Sequence, residues 1–179
     1  MDTKNLAELY DVDTLAWELV AACLDAGVSQ APGTGGPDRH TWWIATINAD
    51  GSPHVTGIGA LWHEGAVWLE TGPSTRKARN LARDPRCTLS IALDDVDLVV
   101  EGDARRIDDP KVVAELAALW ADDGWPCRVD ETGTALTAEF SAPSAGPPPW
   151  YVYRVDPRRA TALQTVEPGG ATLFDFGAE

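Results

Sequence analysis

The chain has 179 residues and a formal net charge of −14, and that length supplies one domain able to bury a sizeable core. The acidity excludes nucleic acid and anionic membranes as partners, because phosphate-rich surfaces need a basic field. Hydrophobic content of 44% and charged content of 23% are ordinary for a globular protein, and eight Trp are enough to serve both a core and a flat ligand or subunit surface. Cys23, Cys87 and Cys127 are odd in number, far apart and without a CxxC pair, which fits a reducing compartment. The opening MDTKNLAELYDVD lacks signal-peptide character and no apolar run reaches membrane length, so a cytoplasmic protein is expected.

In chain order, Asp13 reads as the N-cap of a helix to about Ala26. Leu15, Leu19 and Cys23, with Ala16, Val20 and Leu24, keep helical spacing, and Gly27 closes it. Residues 30–39, QAPGTGGPDR, read as a loop. Residues 41–48 are aromatic and β-branched, Asp50-Gly51 is a hairpin turn, and 53–62 form the return strand. His63-Glu64-Gly65 then turns into 66–71, giving a three-stranded meander. Gly72-Pro73 punctuates, and a helix opens at Ser74, a favoured N-cap, with Ala78, Leu81 and Ala82 as its apolar stripe. Residues 87–93 and 98–107 make a hairpin across Asp94-Asp95. Asp109 and Pro110 begin a helix to Ala121 with Val112, Val113, Leu116, Leu119 and Trp120 on one face. Residues 122–132 are irregular, 135–140 are a short strand, and 141–149, SAPSAGPPP, are a stiff loop. Residues 150–156 and 161–165 read as two closing strands, and the tail ends in Leu173–Phe176.

Six or more short strands with a few helices predict a mainly β protein, a closed antiparallel barrel with peripheral helices. The expected divisions are an N-terminal helix and loop at 1–40, the barrel at 41–165 and a tail at 166–179.

One stretch stands apart. Arg76, Lys77, Arg79, Arg83 and Arg86 crowd into eleven positions of an acidic chain. Arg76 and Lys77 fall in a helix's first turn, where the macrodipole makes each cation cost roughly 0.3–1 kcal/mol. A bound anion reverses that sign, taking free N–H groups, the Ser74 and Thr75 hydroxyls and both cations. The reading is a phosphate site, set against a plain solvated face partly paired with Asp and Glu. Asn80 either reaches the anion from the next turn or stands in solvent. His54 either faces a ligand or keeps a structural hydrogen bond. No nucleophile signature appears, and dispersed His and Cys give no metal-ligand spacing, so neither a catalytic triad nor a metal is expected.

Three blocks, ATINADGSPHVTGIGALW (45–62), VWLETGPSTRKARNLARDPR (67–86) and LVVEGDARRIDDP (98–110), resemble the pyridoxamine-phosphate-oxidase-like split β-barrel family of flavin and deazaflavin oxidoreductases. The segment APSAGPPPWYVYRVDP (142–157) resembles the subgroup that binds coenzyme F-420, the 8-hydroxy-5-deazaflavin. The resemblance implies that the segment from Thr71 through Ser74 to Lys77 holds the cofactor phosphate, with Arg76 and Lys77 as its cations; Asn80 is a further candidate only by its place one turn on. It implies that His54, Val55, Thr56, Gly57, Ile58 and Gly59 run along the tricyclic ring. It further implies a homodimer with cofactor at the interface, for which Trp125, Trp150 and Tyr151 are the candidate wall. The implied function is an oxidoreductase passing a hydride from C5 of the reduced deazaflavin to a small electrophilic organic substrate. FMN is the alternative cofactor, and a non-catalytic barrel for a flavin or tetrapyrrole is the alternative function. Gly57 departs from relatives that carry proline or a polar residue there. The acidic-aromatic tail departs from the basic-aromatic tail of many deazaflavin-type relatives.

Overall fold

The computed structural model describes residues 1–30, 40–142 and 144–177. Most of the loop expected at 30–39 therefore lies outside the described residues. Eleven strands and three α-helices follow in order among the described residues: β1 (Asp2–Asn5), α1 (Trp17–Asp25), β2 (Trp42–Ile47), β3 (Pro53–Ile58), β4 (Ala60–His63), β5 (Ala66–Thr71), α2 (Arg76–Arg83), β6 (Arg86–Ala92), β7 (Val96–Ile107), α3 (Pro110–Asp122), β8 (Arg128–Val129), β9 (Leu136–Thr137), β10 (Tyr151–Gln164) and β11 (Ala171–Asp175). The predominance of antiparallel strands agrees with the expected mainly β class.

The barrel closes through one bent strand. The return strand expected at 53–62 breaks at Gly59: β3 pairs with β2, whereas β4 turns away and pairs with β5. From β5 the ring continues through β10, β7 and β6 back to β2. So the three-stranded meander is corrected to a strand shared between two walls. The corner is held by Gln30, whose side-chain amide donates to the Ala60 carbonyl at 2.7 Å and accepts from the Ala60 N–H at 3.1 Å. A side chain thus supplies the ladder bonds that a neighbouring strand cannot supply at a bend.

β10 is the trunk. The two closing strands expected at 150–156 and 161–165 are one strand, with a register shift between Pro157 and Arg159. Proline has no N–H to give the ladder and survives inside a strand at such an irregularity. The first half of β10 pairs with β5, and the second half pairs with β11, which also takes β1. The expected N-cap at Asp13 is also corrected. α1 begins at Trp17 because residues 12–15 are drawn out along β11: Leu15 N–H donates to Thr172 Oγ1 and Asn5 Nδ2 to the Val12 carbonyl, both at 2.8 Å.

Alternation along β5 explains the two cores. Val67 and Leu69 face the barrel interior with Ile44, Leu89, Val100 and Val155. Ala66 and Trp68 face outward under α3, against Val113, Leu116, Trp120 and Trp150. Both faces of β5 are covered, and all six of its residues are buried. By the same period-two alternation, Glu70 lies on the α3 side.

Candidate functional site

The basic helix starts one residue later than the sequence suggests. Gly72 and Pro73 form a turn in which Thr75 N–H donates to the Gly72 carbonyl at 3.1 Å, and Ser74 is spent inside it. Thr75, not Ser74, caps α2: its Oγ1 accepts from Ala78 N–H at 3.2 Å and donates to the Gly72 carbonyl at 2.9 Å. Thr71, fully buried, shares a 2.9 Å hydrogen bond with the same Oγ1.

The five cations do not act together. Arg79 donates to the Ser74 carbonyl, Arg83 to the Ile47 carbonyl, and Arg86 pairs with Asp84 at 2.7 Å. Those three tie the helix to its surroundings, as the solvated-face reading expected in part. Arg76 and Lys77 diverge, because consecutive helical residues point about 100° apart. Arg76 is exposed beside the β2–β3 hairpin; hydrogen bonds from Ser52, and to the least extent the Arg76 charge, lower the proton affinity of Asp50, while burial and then the Arg76 charge lower that of His54. Lys77 is 2% exposed and turns inward. Its Nζ donates to the Ser144 carbonyl, and burial depresses its proton affinity, with Glu70 opposing that shift.

Lys77 points at a cavity of about 260 Å3 beside the bend of the barrel. One wall is Gly57, Ile58, Gly59 and Ala60; another is Trp120 and Trp125 at the end of α3. Ser144 and Ala145 close it from the proline-rich loop, which is seated on the α2 turn through Gly72 N–H to the Ala145 carbonyl at 2.8 Å. A side chain at position 72 would meet the Pro147 carbonyl at 2.7 Å, so glycine is what lets loop and turn touch. Trp125 packs edge-on to Phe140 at 5.2 Å and against Trp150 at 5.9 Å, and its Nε1 has no hydrogen-bond partner.

Of the residues predicted at the site, Gly57, Ile58, Gly59, Lys77 and Trp125 line this cavity. His54, Val55 and Thr56 precede it on β3, with Val55 on the exposed side. Asn80 belongs to the framework, its Nδ2 donating to Thr46 Oγ1 at 3.0 Å and Asn48 Oδ1 at 3.1 Å. Trp150 is fully buried in the outer core, with Nε1 donating to the Gly146 carbonyl at 2.8 Å. Tyr151 lies under the Arg106 guanidinium, 3.6 Å from the ring centre.

Sequence reasoning missed Glu70. It lines the cavity, is 5% exposed, and its Oε2 has no hydrogen-bond partner. Burial pushes its carboxyl up to about 7, against the pull of Lys77. The signal available was a charged residue in an otherwise apolar strand, VWLET.

Fold and cavity define the class: a split antiparallel barrel with a half-open pocket at the split, lined by one buried lysine. The family model described as pyridoxamine 5'-phosphate oxidase matches residues 36–126, just over half the chain, and the chain belongs to that family, which includes flavin-binding oxidoreductases. No curated protein matches the chain. Among solved structures, it is similar to a conserved hypothetical protein of Mycobacterium tuberculosis (TM-score 0.58, 21% identity, 84% of this chain and 86% of that one). It is similar to a pyridoxamine 5'-phosphate oxidase-related, FMN-binding protein of Nostoc punctiforme (TM-score 0.56, 20% identity, 92% and 93% covered). It is also similar to a heme-binding protein of Mycobacterium smegmatis (TM-score 0.57, 17% identity, 89% and 59% covered). At these identities the likeness is one of fold. No helix among the described residues is long and apolar enough to cross a membrane.

Proposed function

We propose that the chain is an oxidoreductase that binds a phosphorylated flavin-type cofactor in this cavity, and that the cofactor is the deazaflavin coenzyme F-420. The observation that carries the reading is Lys77, a buried cation lining a pocket together with the side-chain-free Gly57 and Gly59. A Cβ at Gly59 would meet nothing within 4 Å, and one at Gly57 only Thr41 Cγ2 at 3.5 Å, so a flat ring can lie against this strand. Lys77 grips the phosphate end by a charge-assisted hydrogen bond. Gly57, Ile58 and Gly59 offer backbone groups to the ring, and Trp125 shields it from water. The bound reduced deazaflavin supplies the hydride for a small electrophilic organic substrate, and the protein supplies orientation. The resemblance of 142–157 to the F-420-binding subgroup supports the choice of cofactor.

FMN is the second reading, favoured by the likeness to an FMN-binding protein. A second copy completes the site in either case: β2 and β3 present exposed Trp43 and Val55 on one outer face, the surface we assign to a homodimer. The protein acts in the cytoplasm on this reading. Titration of the purified protein with F-420 and FMN, followed by fluorescence polarisation, tests it. Saturable binding, tighter for F-420, is expected; unchanged polarisation with both overturns it. Binding without turnover of quinones, enones or nitro compounds would leave a storage barrel instead.

A further inference from the structure

Glu70 and Lys77 stand on different elements and line one cavity, yet among the described residues they form no ion pair with each other. Both are buried, and Glu70 Oε2 has no partner. A carboxylate in that position costs desolvation that only a close cation or donors can repay. A ligand phosphate at Lys77 brings further negative charge into the same cavity, next to two buried side chains, where screening by water is reduced and like charges repel more strongly than in solvent. Two anions beside one ammonium repel each other, and protonation of Glu70 relieves that repulsion.

We propose that Glu70 sets the specificity of the site by proton uptake: a phosphorylated ligand enters at Lys77 only as Glu70 takes one proton from solvent, and the ionised carboxylate excludes it. This rests on the reading that Lys77 holds the ligand's phosphate. The neutral acid leaves one cation for the anion and offers an O–H donor where a carboxylate offered only acceptors. Other titratable groups surround the pair. Cys127, after α3, feels the Glu70 charge, and Asp123 at the end of α3 and His40 before β2 line the same cavity. From β10 the residue opposite Glu70 is Val152, which carries no charge. Burial holds Glu70 near neutrality in its proton affinity, so the exchange falls within the range where proteins work.

The test uses FMN and coenzyme F-420 as probes on the wild-type protein and on Glu70→Gln. Dissociation constants are measured at pH 6, 7 and 8. The ligand's own titration is common to both proteins and cancels in the ratio of wild type to variant. That ratio is expected to rise about tenfold between pH 6 and pH 8, the most a single linked proton titrating near pH 7 allows. The wild-type protein alone gives a second readout. At pH 8, its difference infrared spectrum should gain a protonated-carboxyl band on ligand addition, so the inference stays testable even if the variant does not fold. A flat ratio, or no such band, with both proteins binding at pH 6 overturns the proton coupling and leaves the Lys77 site standing. Absence of binding by the wild-type protein at every pH overturns both.

Discussion

Burial raises the Glu70 carboxyl to about 7, whereas an unfolded chain titrates it near ~4.3. Between those values the native state holds the extra proton, so stability falls as pH rises through the window and levels off above it. Glu70→Gln removes that fall. The full shift corresponds to about 3.5–4 kcal/mol, with the pull of Lys77 already contained in it, and the part above pH 5 is smaller because the window opens below that pH. The variant should therefore gain about 1–3 kcal/mol over wild type on going from pH 5 to pH 8, measured by denaturant unfolding at both pH values. A parallel loss in the two proteins would count against a buried, unpaired carboxyl. Beside it, Lys77→Ala should weaken FMN or F-420 binding by about 1.5–3 kcal/mol, the scale of a charged hydrogen bond. Arg76→Ala should cost under about 1 kcal/mol because that cation stands in solvent. Equal losses in a fluorescence titration would put both cations back on the phosphate. The sequence put Lys77 and Arg76 together at one helix start, as a pair of phosphate ligands. Only the phase of α2 against its packing partners separates the two.

At the scale of elements, the turn before α2 concentrates the dependence on local chemistry. Thr75 caps the helix, bonds Thr71 and holds the Gly72 carbonyl. Thr75→Ala should destabilise the protein by about 1–2 kcal/mol, as loss of an N-cap does, while Ser74→Ala should be near neutral. Thermal melts of the two variants decide whether the cap belongs to Thr75. A Ser-Thr pair ahead of a helix offers two cap candidates to sequence reasoning, and the Gly72-Pro73 turn chooses between them. The loop 141–149 was legible as a stiff connection but not as a wall. Its seat is fixed by close approaches that only glycine allows: a Cβ at Gly72 would meet the Pro147 carbonyl at 2.7 Å, and a Cβ at Gly146 would lie 2.8 Å from Thr75 Cγ2.

At the scale of the whole molecule, the outer face of β2 and β3 exposes Trp43 at 50% and Val55 at 58%. Their strands pair in register, so the two side chains share one side of the sheet. In the proposed homodimer, this face is the contact between the two copies. The protein should sediment as a dimer, and Trp43→Glu should shift it to monomer with unchanged far-ultraviolet dichroism. A monomeric wild-type protein at micromolar concentration would remove the second wall from the proposed cofactor site.

The amino-acid order by itself determined the strand-rich class, the Asp50-Gly51 and Asp94-Asp95 hairpins, the α3 cap at Asp109 and the concentration of positive charge near residue 77, because each is written in neighbouring residues whose local energetics need no distant partner. The bend at Gly59, the single long β10, the inward turn of Lys77 and the burial of Glu70 under α3 were decided by tertiary structure. Each depends on which strand supplies hydrogen bonds or which core covers a face, and those partners lie tens of residues away along the chain.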